Sequence, residues 1–204
     1  MSTTHNNEHQ DLLPRAFTYF WQFGYYGTSI KDLVKATGYS RSTIYREYKN
    51  KNELFKASLL YFNDVIMKEP IGYMEEPDAT LDNVQKYFDL ILLRMEQQSV
   101  PYKGCFIANT MNESSPHDQE FHQIVNTFSE RLRCALLNIL YNETQNNQNI
   151  NVKQETLEKM AKYMMTSIYG IWTYSRSISN IEDLKQVIDA YMTTMRYIIV
   201  NLDN

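Results

Sequence analysis

Between Thr28 and Phe55 the chain reads TSIKDLVKATGYSRSTIYREYKNKNELF, and twice in this short stretch it stops one helix and starts another. Thr28 and Ser29 are hydroxyl residues of the kind that cap a helix start, because a side-chain oxygen can take an unpaired backbone N–H. Ile30, Leu33 and Val34 follow at helical spacing and give one buried stripe. Gly38 then offers a residue that enters the left-handed region without steric cost, a common way to end a helix. Ser40 caps a second start, whose inward or half-inward side carries Ile44, Tyr45 and Tyr48. Asn50 and Glu53 open a third helix in the manner of a capping box, with Leu54 beginning its apolar face. Two short helices joined by a Gly-containing turn make a helix-turn-helix.

The outer side of the second helix is small and polar. Ser40, Arg41, Ser42, Thr43 and Arg46 are donors that can reach base edges or phosphates in a major groove. Thr28, with Ser29 beside it, and Lys51 lie at helix starts, where N–H groups and the positive dipole end favour an anion. Tyr45 and Tyr48 can reach phosphate through their hydroxyls. A helical hairpin with a merely solvated polar face would show the same bare pattern.

The longer run of residues is more specific. Phe23-Gly24-Tyr25-Tyr26-Gly27-Thr28-Ser29-Ile30, then Thr37-Gly38-Tyr39-Ser40, then Ser42 through Lys51, then Leu54-Phe55, resembles the DNA-binding domain of the tetracycline-repressor (TetR) family. The likeness covers about the first third of the chain; the rest is similar to the family in length, helicity and layout only. The resemblance implies an all-α protein. Residues 1–9 form a disordered leader, 10–55 a three-helix DNA-binding domain, and 56–204 a helical regulatory and dimerisation domain. It also adds Tyr39 to the residues expected at DNA.

Bulk properties are compatible with that reading. The 204 residues carry a net charge of −4, which by itself argues against a nucleic-acid partner. Residues 1–55, however, hold seven Lys/Arg against five acids, a balance of +2 that leaves −6 for the remainder. Such asymmetry is expected when one end meets phosphate and the other does not. The basic excess is small, so tight binding calls for more than one copy of the domain. The N-terminal MSTTHNNEHQ has neither a basic nor an apolar signal region, and no run of 18 apolar residues spans a membrane; the expectation is a cytoplasmic protein. Cys105 and Cys134 lie far apart with no metal-ligand spacing and suggest a reducing compartment without a disulfide framework, a bridge between the two being the alternative.

Taken in order, Leu12, Leu13, Ala16, Phe17, Phe20 and Phe23 form a stripe that ends at Gly24 and predicts a lid over the next two helices. A longer helix with Leu59, Phe62 and Ile66 runs to about Met67, where Lys68-Glu69-Pro70-Ile71-Gly72 should break it. Thr80 caps a helix with Leu81, Val84, Phe88, Ile91, Leu92 and Met95. After a short apolar segment over 101–110, Ser115-Pro116-His117-Asp118 starts another helix that carries Phe121, Ile124, Val125, Phe128 and Leu132 up to about Tyr141. Residues 142–151, NETQNNQNIN, read as a polar surface loop. Two strong stripes close the chain: Leu157 to Trp172, and Leu184 to Leu202, with Ser179 and Glu182 as a capping box between them.

Catalysis finds no support in these residues. There is no Gly-rich phosphate loop, no nucleophile elbow, and no His pair with a carboxylate at metal spacing, so neither an enzyme, a metal nor a cofactor is expected. Of the four His, His5, His9 and His117 fall in the leader or at a helix start, and His122 reads as solvent-facing. A helical protein-interaction module without a DNA role is the competing reading. The resemblance implies a repressor that binds double-stranded operator DNA as a C2 homodimer. The terminal helix pairs would form a four-helix bundle with their copies through Met164, Ile168, Ile188, Tyr191, Met195 and Ile199. A small hydrophobic or aromatic effector would be received among Phe88, Ile91, Cys105, Phe106, Phe128, Tyr169 and Trp172, with Asn109 and Tyr163 as polar handles. For each of these residues taken singly, filled core is the alternative. Lys103-Gly104-Cys105-Phe106 with Asn109 and Glu113 looks like a signature of one branch of the family.

Overall fold

The computed structural model describes residues 10–97, 103–113, 118–146 and 152–202. The leader 1–9, the helix start at Ser115–His117 and the end of the polar stretch, 147–151, lie outside the described residues. The described chain is all α. Its ten α-helices are α1 Leu12–Phe23, α2 Ile30–Thr37, α3 Arg41–Tyr48, α4 Lys51–Tyr61, α5 Lys68–Met74, α6 Leu81–Gln97, α7 Phe106–Glu113, α8 Gln119–Asn146, α9 Gln154–Tyr174 and α10 Ile181–Val200. A π-helical segment, Phe62–Ile66, extends α4. The chain divides into an N-terminal unit, residues 1–66 with 106–126, and a C-terminal unit, residues 67–105 with 127–204.

In the N-terminal unit α1 packs against α4 as well as α2, so it closes a core rather than only covering the two helices after it. Leu12, Ala16, Phe17 and Phe20 are buried on α1, Leu33 on α2, Ile44 on α3 and Leu54, Phe55 and Leu59 on α4. Each such side chain contributes roughly 1.5–3 kcal/mol by leaving water. Aromatic edges organise the interior: Phe55 lies 5.0 Å from Phe20, 5.5 Å from Phe106 and 4.9 Å from Phe121. Phe23, expected inside, is half exposed and stacks on Tyr19 at 4.5 Å, because α1 ends at Gly24 before the stripe turns back to the core.

Five elements of the C-terminal unit are α5, α6, α9, α10 and α8 from Thr127 onward. Lys68–Met74 is a helix rather than a break, since Pro70 sits in its first turn, where the missing N–H has no intrahelical acceptor. Helix α8 also runs past Tyr141 to Asn146, into the stretch that composition marks as loop. Its polar residues there hold other backbone: Asn142 Nδ2 donates to the carbonyls of Pro77 and Ala79, both at 2.9 Å, and Glu143 Oε1 accepts the Leu81 amide at 2.7 Å, capping α6. The cap of α10 is Asn180, one residue later than Ser179, and it accepts from Glu182 N at 3.0 Å. Trp172 is buried and donates its Nε1–H to Tyr87 Oη at 2.7 Å, with the Phe88 ring 5.5 Å away.

Candidate nucleic-acid interface

The polar pair α2–α3 is built as its caps predict. Ser29 accepts from Asp32 N while Asp32 accepts from Ser29 N, a complete capping box. The Ser29 hydroxyl and amide hold the Asp32 carboxyl below its usual range. Gly38 ends α2 in the left-handed region, with φ 77°. Ser40 then caps α3 by accepting from Thr43 N at 3.1 Å, and its Oγ also lies 2.7 Å from Ser42 Oγ and 2.9 Å from Thr43 Oγ1. Ile44 is the fully buried anchor of α3. Around that anchor, Ser40, Arg41, Ser42 and Arg46 are exposed, Thr43, Tyr45 and Tyr48 are intermediate, and Tyr39 is half-buried before the cap. Arg41 leans along its own helix, with Nη2 donating to Tyr45 Oη at 3.2 Å and the guanidinium 5.3 Å from the Tyr45 ring centre. Arg46 pairs with Glu47 at 3.0 Å, and burial raises the Tyr48 phenol.

Two expected phosphate contacts face elsewhere. Thr28 is buried, and its Oγ1 donates to Gly24 O at 2.6 Å. The Lys51 ammonium donates to Tyr25 O and Thr28 O, both at 2.9 Å, and lies 4.0 Å from the Tyr25 ring centre. Burial lowers its pKa, with the Glu113 carboxylate opposing that shift. Lys49 is not among the residues expected at DNA. It is exposed, with φ 61° at the C-cap of α3, the one non-glycine residue with positive φ among those described.

The nine residues expected around an effector are divided between the units. Phe106 and Asn109 lie on α7 in the N-terminal unit, where Phe106 meets Phe17 at 5.3 Å and Phe62 at 5.9 Å. The other seven lie in the C-terminal unit. Phe88, Ile91, Cys105, Phe128 and Trp172 are buried there, and Tyr169 shares a 2.8 Å hydrogen bond with Ser129. Tyr163 is half exposed. Gly170 faces open space, so neither close packing within the chain nor a cavity accounts for it.

The six residues expected between subunits are already covered by their own chain. Met164, Ile168, Ile188, Tyr191, Met195 and Ile199 are all buried, because α10 packs on α6 as well as on α9. The apolar residues that these two helices leave open are Tyr163, Tyr174, Tyr197 and Val200. Among the described residues no cluster of three or more His, Cys, Asp or Glu could hold a metal ion, both cysteines are free thiols, and no helix is long and apolar enough to cross a membrane.

A capped helix pair with an exposed Ser/Arg face, held by one buried isoleucine, defines a helix-turn-helix DNA-binding protein. Residues 12–58 match the family model described as bacterial regulatory proteins, tetR family, which makes this stretch a DNA-binding domain of the tetR type. It is 34% identical over 120 residues to the HTH-type transcriptional repressor ComR of Escherichia coli (strain K12), covering 58% of this chain and 55% of ComR. Over 186 residues it is 23% identical to the uncharacterized HTH-type transcriptional regulator YezE of Bacillus subtilis (strain 168), covering 90% of this chain and 94% of YezE. The fold is similar to that of the TetR family transcriptional regulator CifR, solved with 26bp double-strand operator DNA. The TM-score is 0.70 at 16% identity, over 94% of this chain and 98% of that one. The protein-interaction reading without DNA is not favoured by these matches.

Proposed function

We propose that this regulator is a repressor that binds operator DNA as a C2 homodimer and releases it when a small hydrophobic or aromatic molecule occupies the C-terminal unit. The observation that carries the reading is the exposed N-terminal half of α3, Ser40-Arg41-Ser42, on a helix pinned by its cap and by Ile44. A rigid helix with short hydroxyls and one long guanidinium suits a major groove, where hydrogen bonds to base edges carry the sequence information. The ComR description supports repression, and the operator complex of CifR supports duplex DNA as the partner. The Tyr and Val residues left open on α9 and α10 support a second copy. Two α3 helices entering successive grooves on one DNA face stand about 34–36 Å apart.

Selection of duplexes from a random pool, followed by footprinting, tests this reading. The expected result is an inverted repeat with half-sites about one helical turn apart. Hydrophobic and aromatic compounds are expected to release the protein from that duplex. Recovery of no enriched sequence would overturn the function, and a single half-site would overturn the dimer.

A further inference from the structure

The corner between α1 and α2 is held by a carboxylate from far along the chain. After Gly24, with φ 76°, the amides of Tyr25 and Tyr26 point the same way, and Glu113 accepts both: Tyr25 N at 2.9 Å on Oε2 and Tyr26 N at 2.6 Å on Oε1. Successive amides turned to one side make a concavity for an anion. Gly24 is required twice over. Its φ is one that L side chains rarely adopt, and a Cβ built there would overlap the Glu113 carboxylate. The opposite sign sits on the carbonyls of the same corner, where Lys51 Nζ meets Tyr25 O and Thr28 O. A third tie is the Tyr26 hydroxyl, 2.6 Å from Asp118 Oδ2.

We propose that Glu113 is a positioning residue for DNA binding: as a latch on the Tyr25 and Tyr26 amides it sets the pose in which α2 and α3 are presented. The proposal rests on the DNA-binding reading above. Neither of the short helices α2 and α3 can fix its own direction, and the corner is where α2 leaves the long-buried α1. Glu113 is the last residue of α7, whose first residue, Phe106, is buried against Phe17, Phe55 and Phe62. The latch therefore stands on a rigid strut within the same unit. The chain enters that strut directly from Cys105, the last residue of its first pass through the C-terminal unit.

The test uses the full chain and the duplex that wild-type protein selects from a random pool, with an unrelated duplex of equal length beside it. Glu113→Gln keeps the size of the side chain but offers an NH2 donor to one of two amide donors. It is expected to weaken the selected duplex at least tenfold, leave the unrelated duplex within about twofold, and keep the helical circular-dichroism signal. Tyr26→Phe removes the phenol–Asp118 bond of an exposed residue and is expected to weaken the selected duplex about threefold. If Glu113→Gln does not fold, Glu113→Asp, which keeps the charge but draws the carboxylate back from the amides by one methylene, decides, and wild-type affinity in that folded variant overturns the proposal. Unchanged binding by folded Glu113→Gln, or an equal loss on both duplexes, also overturns it. Failure of the wild-type protein to select any duplex would instead remove the DNA-binding reading.

Discussion

Arg41 and Lys51 show how differently two cations of one motif can be used. Arg41 is exposed, and its guanidinium donates to Tyr45 Oη at 3.2 Å, an interaction easily exchanged for a base edge. Arg41→Ala is expected to cost about 1–3 kcal/mol of operator binding and to relax preference at one base position, which a binding series over single-base variants of the selected duplex would measure. Affinity and preference both unchanged would take Arg41 out of the interface. Lys51 reads in the sequence as a phosphate contact, but its ammonium bridges two carbonyls of the α1–α2 corner. Lys51→Ala is therefore expected to lower unfolding free energy by about 1–3 kcal/mol, since bonds to a charged donor are worth roughly that. A melting temperature equal to wild type would refute the structural role.

At the scale of elements, α9 and α10 carry stripes wide enough to suit either a core or a subunit interface, and the packed chain separates the two uses. Ile188 is 2% exposed, whereas Tyr197 on the same helix is 70% exposed. A charge at Ile188 meets the cost of burying an unpaired ion, and Ile188→Glu is expected to unfold or precipitate. Tyr197→Glu is expected to fold with wild-type helicity and to sediment as a monomer where wild type sediments as a dimer. A dimeric Tyr197→Glu would move the interface to another face. The elements legible in advance were those whose determinants are local. Ser40, Gly38 and Asn50 terminate and start helices within one turn of themselves, and their roles stand in the structure. Helix α5 and the last turns of α8 were not legible, because Pro70 and the polar Asn142-Glu143 act through position in the first turn and through partners some sixty residues away.

For the whole molecule, charge and assembly bear on one another. The residues up to Phe55 carry +2 and the remainder −6, so the acidic part is repelled from phosphate while the basic end is drawn to it. With so few cations per chain, salt-dependent affinity grows mainly by doubling the contacts, the role assigned here to the homodimer. The helix boundaries and the exposed polar face of the α2–α3 pair were legible because a helix-turn-helix is a local device. That Phe106 and Asn109 fall in the N-terminal unit, apart from the other seven residues expected around an effector, was not legible, since it depends on long-range packing.

The sequence by itself determined the helical class, the caps of α2, α3 and α4, and most of the apolar stripes, because each depends on residues within a turn or two of one another. Only the tertiary structure decided that Tyr25 and Tyr26 give their amides to Glu113, 88 and 87 positions away, and that Lys51 turns inward. It alone decided which face of α9 and α10 the chain keeps for its own core. An apolar stripe specifies that a face must be covered, and a carboxylate that it needs donors. Which groups meet these needs depends on distant segments brought together by folding, and nothing local in the chain encodes that choice.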